Sequence, residues 1–449
     1  MTEQDLVTCH CIIGHPNKPK FLVVKHKTNW APPVLQYEPG PIDYRADMVS
    51  FGMLNKYGLK TRVLRPLVET PRYHCIELEL PEQALDDQLR AVWVDIDDYS
   101  KFRGARGGKR DIFEDWLIQK TRGEVPAQRT PWQKAGWFDT ADGWIRDRLE
   151  QEGIEVLGEV LQYRVGWNAS CLLAAPTSSG TFYFKAAYAK PPAEAVLTRE
   201  LAELWPQQVV RPTAVDEENN WMLNRDYARK GSLRPDHETL PVFANALAQL
   251  QLESAAHLEK FKELGCPDHG LDYVMRMMDQ KDDFLPHFQA GEKFLSDDEL
   301  RQFSKALSEA ARQCDALRAI GIPDTLIHQD FRIDNLLLEG EDHYITDWAG
   351  TVTGHPFFAL GRMYSGDEQP TQGLDSEAVK QAYLQAFGEF GSGQELEQAF
   401  RITLALFPFW RMCHALDEIA WTEKNSPRYW YFQALMQVLA RDLISTQAG

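Results

Sequence analysis

Hydrophobic and polar positions change their period three times along the chain. Between residues 7 and 96, short runs such as VTCHCIIG, KFLVVKHK, YHCIELEL and AVWVDIDD alternate with period two and predict strands. One stretch among them, ADMVSFGMLNKYGL from Ala46, predicts a helix. GEVPAQRTPWQKAGW, residues 123–137, carries two prolines and little apolar periodicity, and predicts a linker. Beyond it, DTADGWIRDRLEQEG predicts a short amphipathic helix, and EVLQYRV, CLLAAP and TFYFKAA predict three strands. The helix EAVLTRELAELW follows, with Pro191 and Pro192 in its first turn and Leu197, Leu201 and Leu204 on one stripe, and then the strands QVVRPTAV and WMLNRDY. From Ser232 the period becomes helical. A capping box, Ser296-x-x-Glu299, opens a helix that places Leu300, Phe303, Leu307, Cys314 and Leu317 near one face. Short strands interrupt around residue 330, and helices resume after Ser376.

This order predicts an α+β chain in four pieces: a first domain over 1–125, a linker over 126–135, a small strand-rich lobe over 136–230 and a larger helical lobe over 231–449. With 449 residues, the chain exceeds what one hydrophobic core usually supports.

Composition narrows the classes. The content is 44% hydrophobic and 25% charged, as in ordinary globular proteins. The opening MTEQDLVTCH is polar and acidic, and apolar stretches such as ITLALFPFW are too short to span a bilayer, so a soluble cytoplasmic protein is expected. Seven scattered cysteines argue for a reducing compartment. Cys9, His10 and Cys11 suggest metal, but strand alternation sends the histidine to the opposite face, and buried strand cysteines are the plainer reading. The first 130 residues hold 19 Lys and Arg against 18 Asp and Glu, so the whole of the negative net charge arises beyond them. Such an acidic body disfavours nucleic acid and anionic membrane and suits a small, cationic partner.

The chemistry concentrates in LIHQDFRIDNLLLEGEDHYITDW. His328, Asp330, Asn335 and Asp347 are spaced as a kinase catalytic loop followed by a metal-binding aspartate. Phosphoryl transfer needs little beyond positioning and charge neutralisation: one carboxylate to orient the acceptor hydroxyl, and an amide with a second carboxylate to hold magnesium. The triad alone is a weak signal. The ensemble, with Asp347 twelve residues after Asn335 and a strand-rich lobe carrying its own lysine ahead, is a strong one.

On these motifs, residues 136–449 resemble the aminoglycoside phosphotransferase and choline kinase family, which has a bilobal protein-kinase-like fold. The resemblance implies a transfer of the γ-phosphoryl group of ATP or GTP, with Mg2+, to a hydroxyl of a small molecule. It assigns Asp330 to orient or deprotonate that hydroxyl, Asn335 and Asp347 to the metal, and His328 to loop geometry. Lys185 matches the strand lysine that touches the nucleotide phosphates, and Glu200 its helix partner, with Glu194 and Glu203 as competitors. Gly166, Asn168 and Ser170 lie in the turn that resembles the phosphate-covering loop, and a plain hairpin turn is the alternative. Asn224 and Arg225 mark the strand end whose backbone is expected to read the purine. The chain departs from the family where a Gly-Asp-Pro and an Asp-Leu are common: here stand Gly354-His355-Pro356 and Ala359-Leu360. A nucleotide-binding pseudokinase is therefore the rival expectation.

Trp410, His414, Asp417 and Trp421 recur at i, i+4, i+7 and i+11, one helical face with Glu418 beside it. Two indoles with carboxylates form a cage for a cation, and a packing stripe is the alternative. The first domain resembles a Nudix hydrolase domain in its strands, Pro-Gly turn and helix. Where that family needs clustered acids for magnesium, this chain has Phe51-Gly52 and Asn55-Lys56, so a degenerate Nudix-like α/β/α domain without hydrolase chemistry is expected. The basic segment KFRGARGGKR from Lys101 reads as a solvated loop or an anion contact.

Overall fold

The computed structural model describes residues 6–447 except 27–28, 39–45, 82–84, 86–89, 102–109, 124, 167–168, 189, 228–235, 237, 290–293, 340–341, 365–375 and 425. The basic segment after Lys101 thus lies largely outside the described residues, as does Asn168. The chain forms two compact units, residues 1–188 with 422–430, and residues 189–421 with 431–449. Both are mixed α and β.

The first unit runs β1 (Val7–Ile13), β2 (Lys20–His26), β3 (Asn29–Ala31), β4 (Val34–Tyr37), α1 (Ala46–Tyr57), β5 (Arg62–Thr70), β6 (Tyr73–Glu79), β7 (Ala91–Asp95), α2 (Arg110–Arg122), α3 (Trp137–Gln151), β8 (Leu161–Gly166), β9 (Ser170–Thr177) and β10 (Gly180–Ala187). One sheet has the order β4-β1-β6-β5, with β1 and β6 parallel, and a second the order β3-β2-β7. Strand alternation buries Cys9 and Cys11 fully and leaves His10 half-buried. Among the described residues no group of His, Cys, Asp and Glu is arranged to hold a metal ion. Phe21 packs edge to face on Phe113, and Phe113 tilts against Trp116, in the core of this unit.

The boundary at residue 188 differs from the one the sequence suggests, for a local reason. Gln162 of β8 exchanges both amide hydrogen bonds with the Val63 backbone, at 2.7 and 2.9 Å, and Arg62 reaches Asp139 of α3 at 2.7 Å. The strands β8, β9 and β10, antiparallel to one another, thereby join the first unit. The expected linker is not a free tether either. Trp132 is buried, and Arg129 makes a bidentate pair with Glu423 at 2.6 and 2.7 Å, across 294 residues of sequence. Arg65 stands between Glu77, at 2.6 Å, and Glu423, at 3.6 Å.

The second unit runs α4 (Glu194–Leu204), β11 (Ala214–Asp216), β12 (Trp221–Arg225), α5 (Leu240–Ser254), α6 (Leu258–Glu263), α7 (Leu271–Asp279), α8 (Leu285–Phe288), α9 (Asp297–Ile320), β13 (Thr325–Ile327), β14 (Leu336–Glu339), β15 (Asp342–Ile345), β16 (Val352–Gly354), α10 (Gly361–Tyr364), α11 (Ser376–Gln385), α12 (Gly393–Ala420) and α13 (Pro427–Thr446), whose first turn lies in the other unit. The expected capping box opens α9: Ser296 Oγ accepts from the Glu299 N–H, and Glu299 accepts from the Ser296 N–H at 2.8 Å. That backbone N–H first, and then Arg441, hold the Glu299 carboxyl down at about 2. A second capping box, Ser392 with Glu395, opens α12. Among the described residues no helix is long and apolar enough to cross a membrane.

Removing one partner of a buried ion pair strands the other charge. Arg129→Met should therefore lower the stability of the first unit by about 3 kcal/mol in urea unfolding, and Arg129→Met with Glu423→Met should recover part of that loss. A change below about 0.5 kcal/mol in the single variant contradicts this account of the pair.

Candidate active site

Strand β13, paired antiparallel with β16 so that Leu326 faces Thr353, delivers the chain to His328, Gln329 and Asp330. A single 3-10 turn, Ile333–Asn335, then returns Asn335 toward that loop before the β14–β15 hairpin begins. The hairpin brings Thr346 back to the same place. Its N–H and hydroxyl donate to the Asn335 carbonyl at 2.8 and 3.0 Å, so Asn335 and Asp347, twelve residues apart, start from one hydrogen-bonded point. The His328 ring bridges the two segments: Nδ1 accepts from the Asp330 N–H at 3.2 Å, and Nε2, which therefore carries the proton, donates to the Thr346 carbonyl at 2.9 Å. The edge-to-face contact with Trp348 at 4.7 Å fixes the ring plane. His328 is thus a spacer between loops, as the sequence reading expects.

Asn335 donates its Nδ2 twice, to the Asp330 carbonyl at 2.8 Å and to Asp330 Oδ2 at 3.1 Å, which leaves its Oδ1 as the acceptor of that side chain. Asp347 has φ 65°. A non-glycine residue is held in the left-handed region only where its surroundings over-determine it, and such residues cluster at functional sites. One amide oxygen and one carboxylate are hard donors of the kind magnesium takes, together with nucleotide phosphates, so the residues present fit that ion.

The sequence reading missed two arginines. Arg362 Nη1 donates to Asp330 Oδ1 at 2.5 Å, and Arg332 Nε lies 3.1 Å from the same oxygen. Arg332 is legible as the cation two residues after Asp330. Arg362 comes from α10, and no spacing announces it. Gly361 permits the approach, since a Cβ there would collide with Phe407 of α12.

The remaining expected residues are placed as follows. Lys185 is buried on β10 opposite Leu172, and Gly166 and Ser170 pair across the β8–β9 hairpin in the first unit. In the second unit, Glu200 is engaged by Lys260 at 3.0 Å and Arg199 at 3.2 Å, chiefly the former pulling its carboxyl down. Glu194, one of its competitors, is 1% exposed in the first turn of α4. Arg225 forks onto Glu339 at 2.8 and 2.5 Å and lies over Tyr227, so its side chain serves the fold. Asn224 Oδ1 is buried and accepts no hydrogen bond from any described residue.

The expected cation cage is overturned by burial. Trp410 is 0% exposed, stacked on Phe358 at 4.9 Å and 4°, with its Nε1 donating to the His269 carbonyl at 3.3 Å. Trp421, past the helix end, is 44% exposed. The carboxylates are occupied: Asp417 by Tyr273 and His269, both at 3.3 Å, and Glu418 by Lys190 at 2.7 Å. Burial pushes His414 well below its usual range, and its Cε1 would sit 3.6 Å from a Cβ on Gly350, so it packs under the turn that follows Asp347. The periodic spacing marks the packed face of α12, the alternative that the sequence left open.

Residues 220–396 match APH, the phosphotransferase enzyme family. Asp330, Asn335 and Asp347 fall inside that span, whereas Lys185, Glu200 and the α12 stripe fall outside it. Among solved structures, a choline/ethanolamine kinase family protein from Mesorhizobium loti is 16% identical, with a TM-score of 0.42 over 70% of this chain and 99% of that one. Choline kinase LicA from Streptococcus pneumoniae is 12% identical, TM-score 0.44, over 68% and 99%. A Plasmodium vivax ethanolamine kinase is 10% identical, TM-score 0.46, over 74% and 95%. No curated protein matches the chain.

Where the resemblance leads one to expect acids after Gly354, other groups brace the loop. His355 caps the turn Pro356–Leu360, its Nδ1 accepting from the Phe357 N–H at 3.4 Å. Gln251 Nε2 donates to the Leu326 and Pro356 carbonyls, both at 3.2 Å, and Tyr383 donates to the same Pro356 carbonyl at 2.9 Å. Burial holds His355 down at about 3. The unfolded chain binds a proton near pH 6.5 that the folded chain refuses until about pH 3, so this residue removes stability as pH falls through that window. His355→Asn, which keeps an acceptor for the turn, should narrow the stability difference between pH 6.5 and pH 5 by about 2 kcal/mol in urea unfolding. An unchanged difference rejects His355 as a source of acid sensitivity.

Proposed function

We propose that this chain is a small-molecule kinase that transfers the γ-phosphoryl group of ATP or GTP to a hydroxyl of a small acceptor. The single observation that carries the reading is the hydrogen-bonded unit of Asp330 and Asn335, with Asp347 brought to it by Thr346 in left-handed backbone. Oδ1 of Asp330 faces Arg362 and Arg332, while Oδ2, which accepts from Asn335, keeps a second lone pair, so an acceptor hydroxyl can donate to Oδ2 and be aimed at the phosphorus. Asn335 Oδ1 and the Asp347 carboxylate would hold magnesium, which supplies charge neutralisation on the nucleotide phosphates. Lys185 is proposed to touch those phosphates. Glu200 is proposed to belong to the same nucleotide site, with Glu194 and Glu203 as its competitors. The Gly166–Ser170 hairpin is proposed to cover the phosphates, and the backbone at Asn224 to read the purine. The first unit is proposed to keep a Nudix-like frame without its hydrolase acids.

A second reading, nucleotide binding without transfer, is favoured by one observation. Two guanidinium groups, of Arg362 and Arg332, sit on Oδ1 of the carboxylate that would serve as base and offset its charge.

The two readings separate in a turnover assay of ATP and GTP against hydroxylated amines, sugars and nucleosides, scored by mass gain of one phosphoryl group. Under the proposal, Asp330→Asn lowers turnover by about 10³-fold and leaves magnesium-nucleotide affinity intact. Asp347→Asn abolishes the metal dependence of nucleotide binding. Wild-type turnover by Asp330→Asn, or no acceptor phosphorylated while magnesium-nucleotide still binds, rejects the kinase reading.

A further inference from the structure

The first unit holds a cavity of about 580 Å³ between α1, the start of β5, α3 and the start of β8. Its volume lies in the range of small-molecule sites, about 300–1,000 Å³. The helix that borders it is the one whose acids the Nudix resemblance requires, and that helix turns apolar side chains outward instead. Phe51 is 64% exposed and Leu54 49%, and across the cleft Leu161 is 57% exposed. Three large apolar side chains left open around one concavity are more than the scattered exposure of an ordinary surface.

Two further observations define what would fill it. The basic groups around the cleft are matched within the protein, Lys60 with Glu159 at 2.5 Å, Arg146 with Asp142 at 3.0 Å and Arg62 with Asp139 at 2.7 Å, and Asp47 accepts from the Met48 N–H at 2.7 Å. A charged ligand would have to displace one of them. Ser50 and Thr61, by contrast, line the cavity, and their hydroxyls are buried with no hydrogen bond from any described residue. Thr61 is 4% exposed. A buried hydroxyl without a partner is costly, and two beside one apolar cleft stand to gain from a polar atom of the occupant.

We infer that this cavity is a binding site for a neutral, largely apolar small molecule, held against Phe51, Leu54 and Leu161 and fixed by a hydrogen bond to Ser50 or Thr61. The site lies wholly within the first unit and does not depend on the phosphoryl-transfer reading.

The probe is N-phenyl-1-naphthylamine, a neutral aromatic amine with one N–H, titrated by fluorescence into the full chain. Its sulfonated counterpart, 8-anilinonaphthalene-1-sulfonate, serves as the charged comparison. The neutral dye should bind saturably, one per chain, and the sulfonate at least about fivefold more weakly. Phe51→Glu and Leu54→Glu, at exposed positions whose change leaves thermal unfolding in place, should each weaken the neutral dye by at least about tenfold. Thr61→Val should weaken it by roughly threefold, the loss of one net hydrogen bond. Absence of saturable binding, equal affinity for the sulfonate, or affinity unchanged in both glutamate variants overturns the inference. So does a wild-type dimer in sedimentation that Phe51→Glu converts to monomer, which would make the cleft a contact between two copies.

Discussion

The Asn335 carbonyl is the point on which the proposed chemistry of the second unit rests. It accepts two hydrogen bonds from Thr346, while the side chain of the same residue donates two to Asp330. A single residue therefore sets the distance between the loop that ends in Asp330 and the hairpin that ends in Asp347. His328 closes the frame from the other side, because its ring accepts from one loop and donates to the other. Transfer chemistry that consists of positioning suits a site held by its backbone in this way.

Much of this frame was legible before the fold. The spacing from His328 to Asp347 fixes which residues meet, because a 3-10 turn and a two-stranded hairpin admit few paths between them. The capping box at Ser296 is equally local, and the structure contains it. Legibility fails where a partner comes from far along the chain. Arg362 reaches Asp330 through the packing of Gly361 on Phe407, and Lys260 takes Glu200 from a helix some sixty residues away. The α12 stripe shows the opposite failure: periodicity correctly gave a face, but a period cannot say whether that face meets solvent or core. Trp410 meets Phe358. The cleft beside α1 was half visible, since the missing acids were read from Phe51 and Asn55, while the apolar concavity required β8 from more than a hundred residues on.

The buried charges of the first unit act on fold selection more than on net stability. Arg65, Glu77, Arg129 and Glu423 come from three separate parts of the chain, and their desolvation offsets much of their attraction. A misplaced return of the segment 422–430 would leave at least one of them alone in a nearly dry site. That penalty is specific to the wrong arrangement, whereas apolar contacts reward many arrangements alike.

The left-handed backbone of Asp347 narrows the sequence freedom of its position from two directions. The conformation is comfortable for glycine and tolerable for asparagine and aspartate, and it excludes β-branched and bulky residues on steric grounds. The proposed role as an anionic ligand to a divalent ion would exclude glycine and disfavour asparagine. Under that proposal only one of the twenty side chains meets both demands, so drift or redesign at this codon would have no neutral neighbour to pass through.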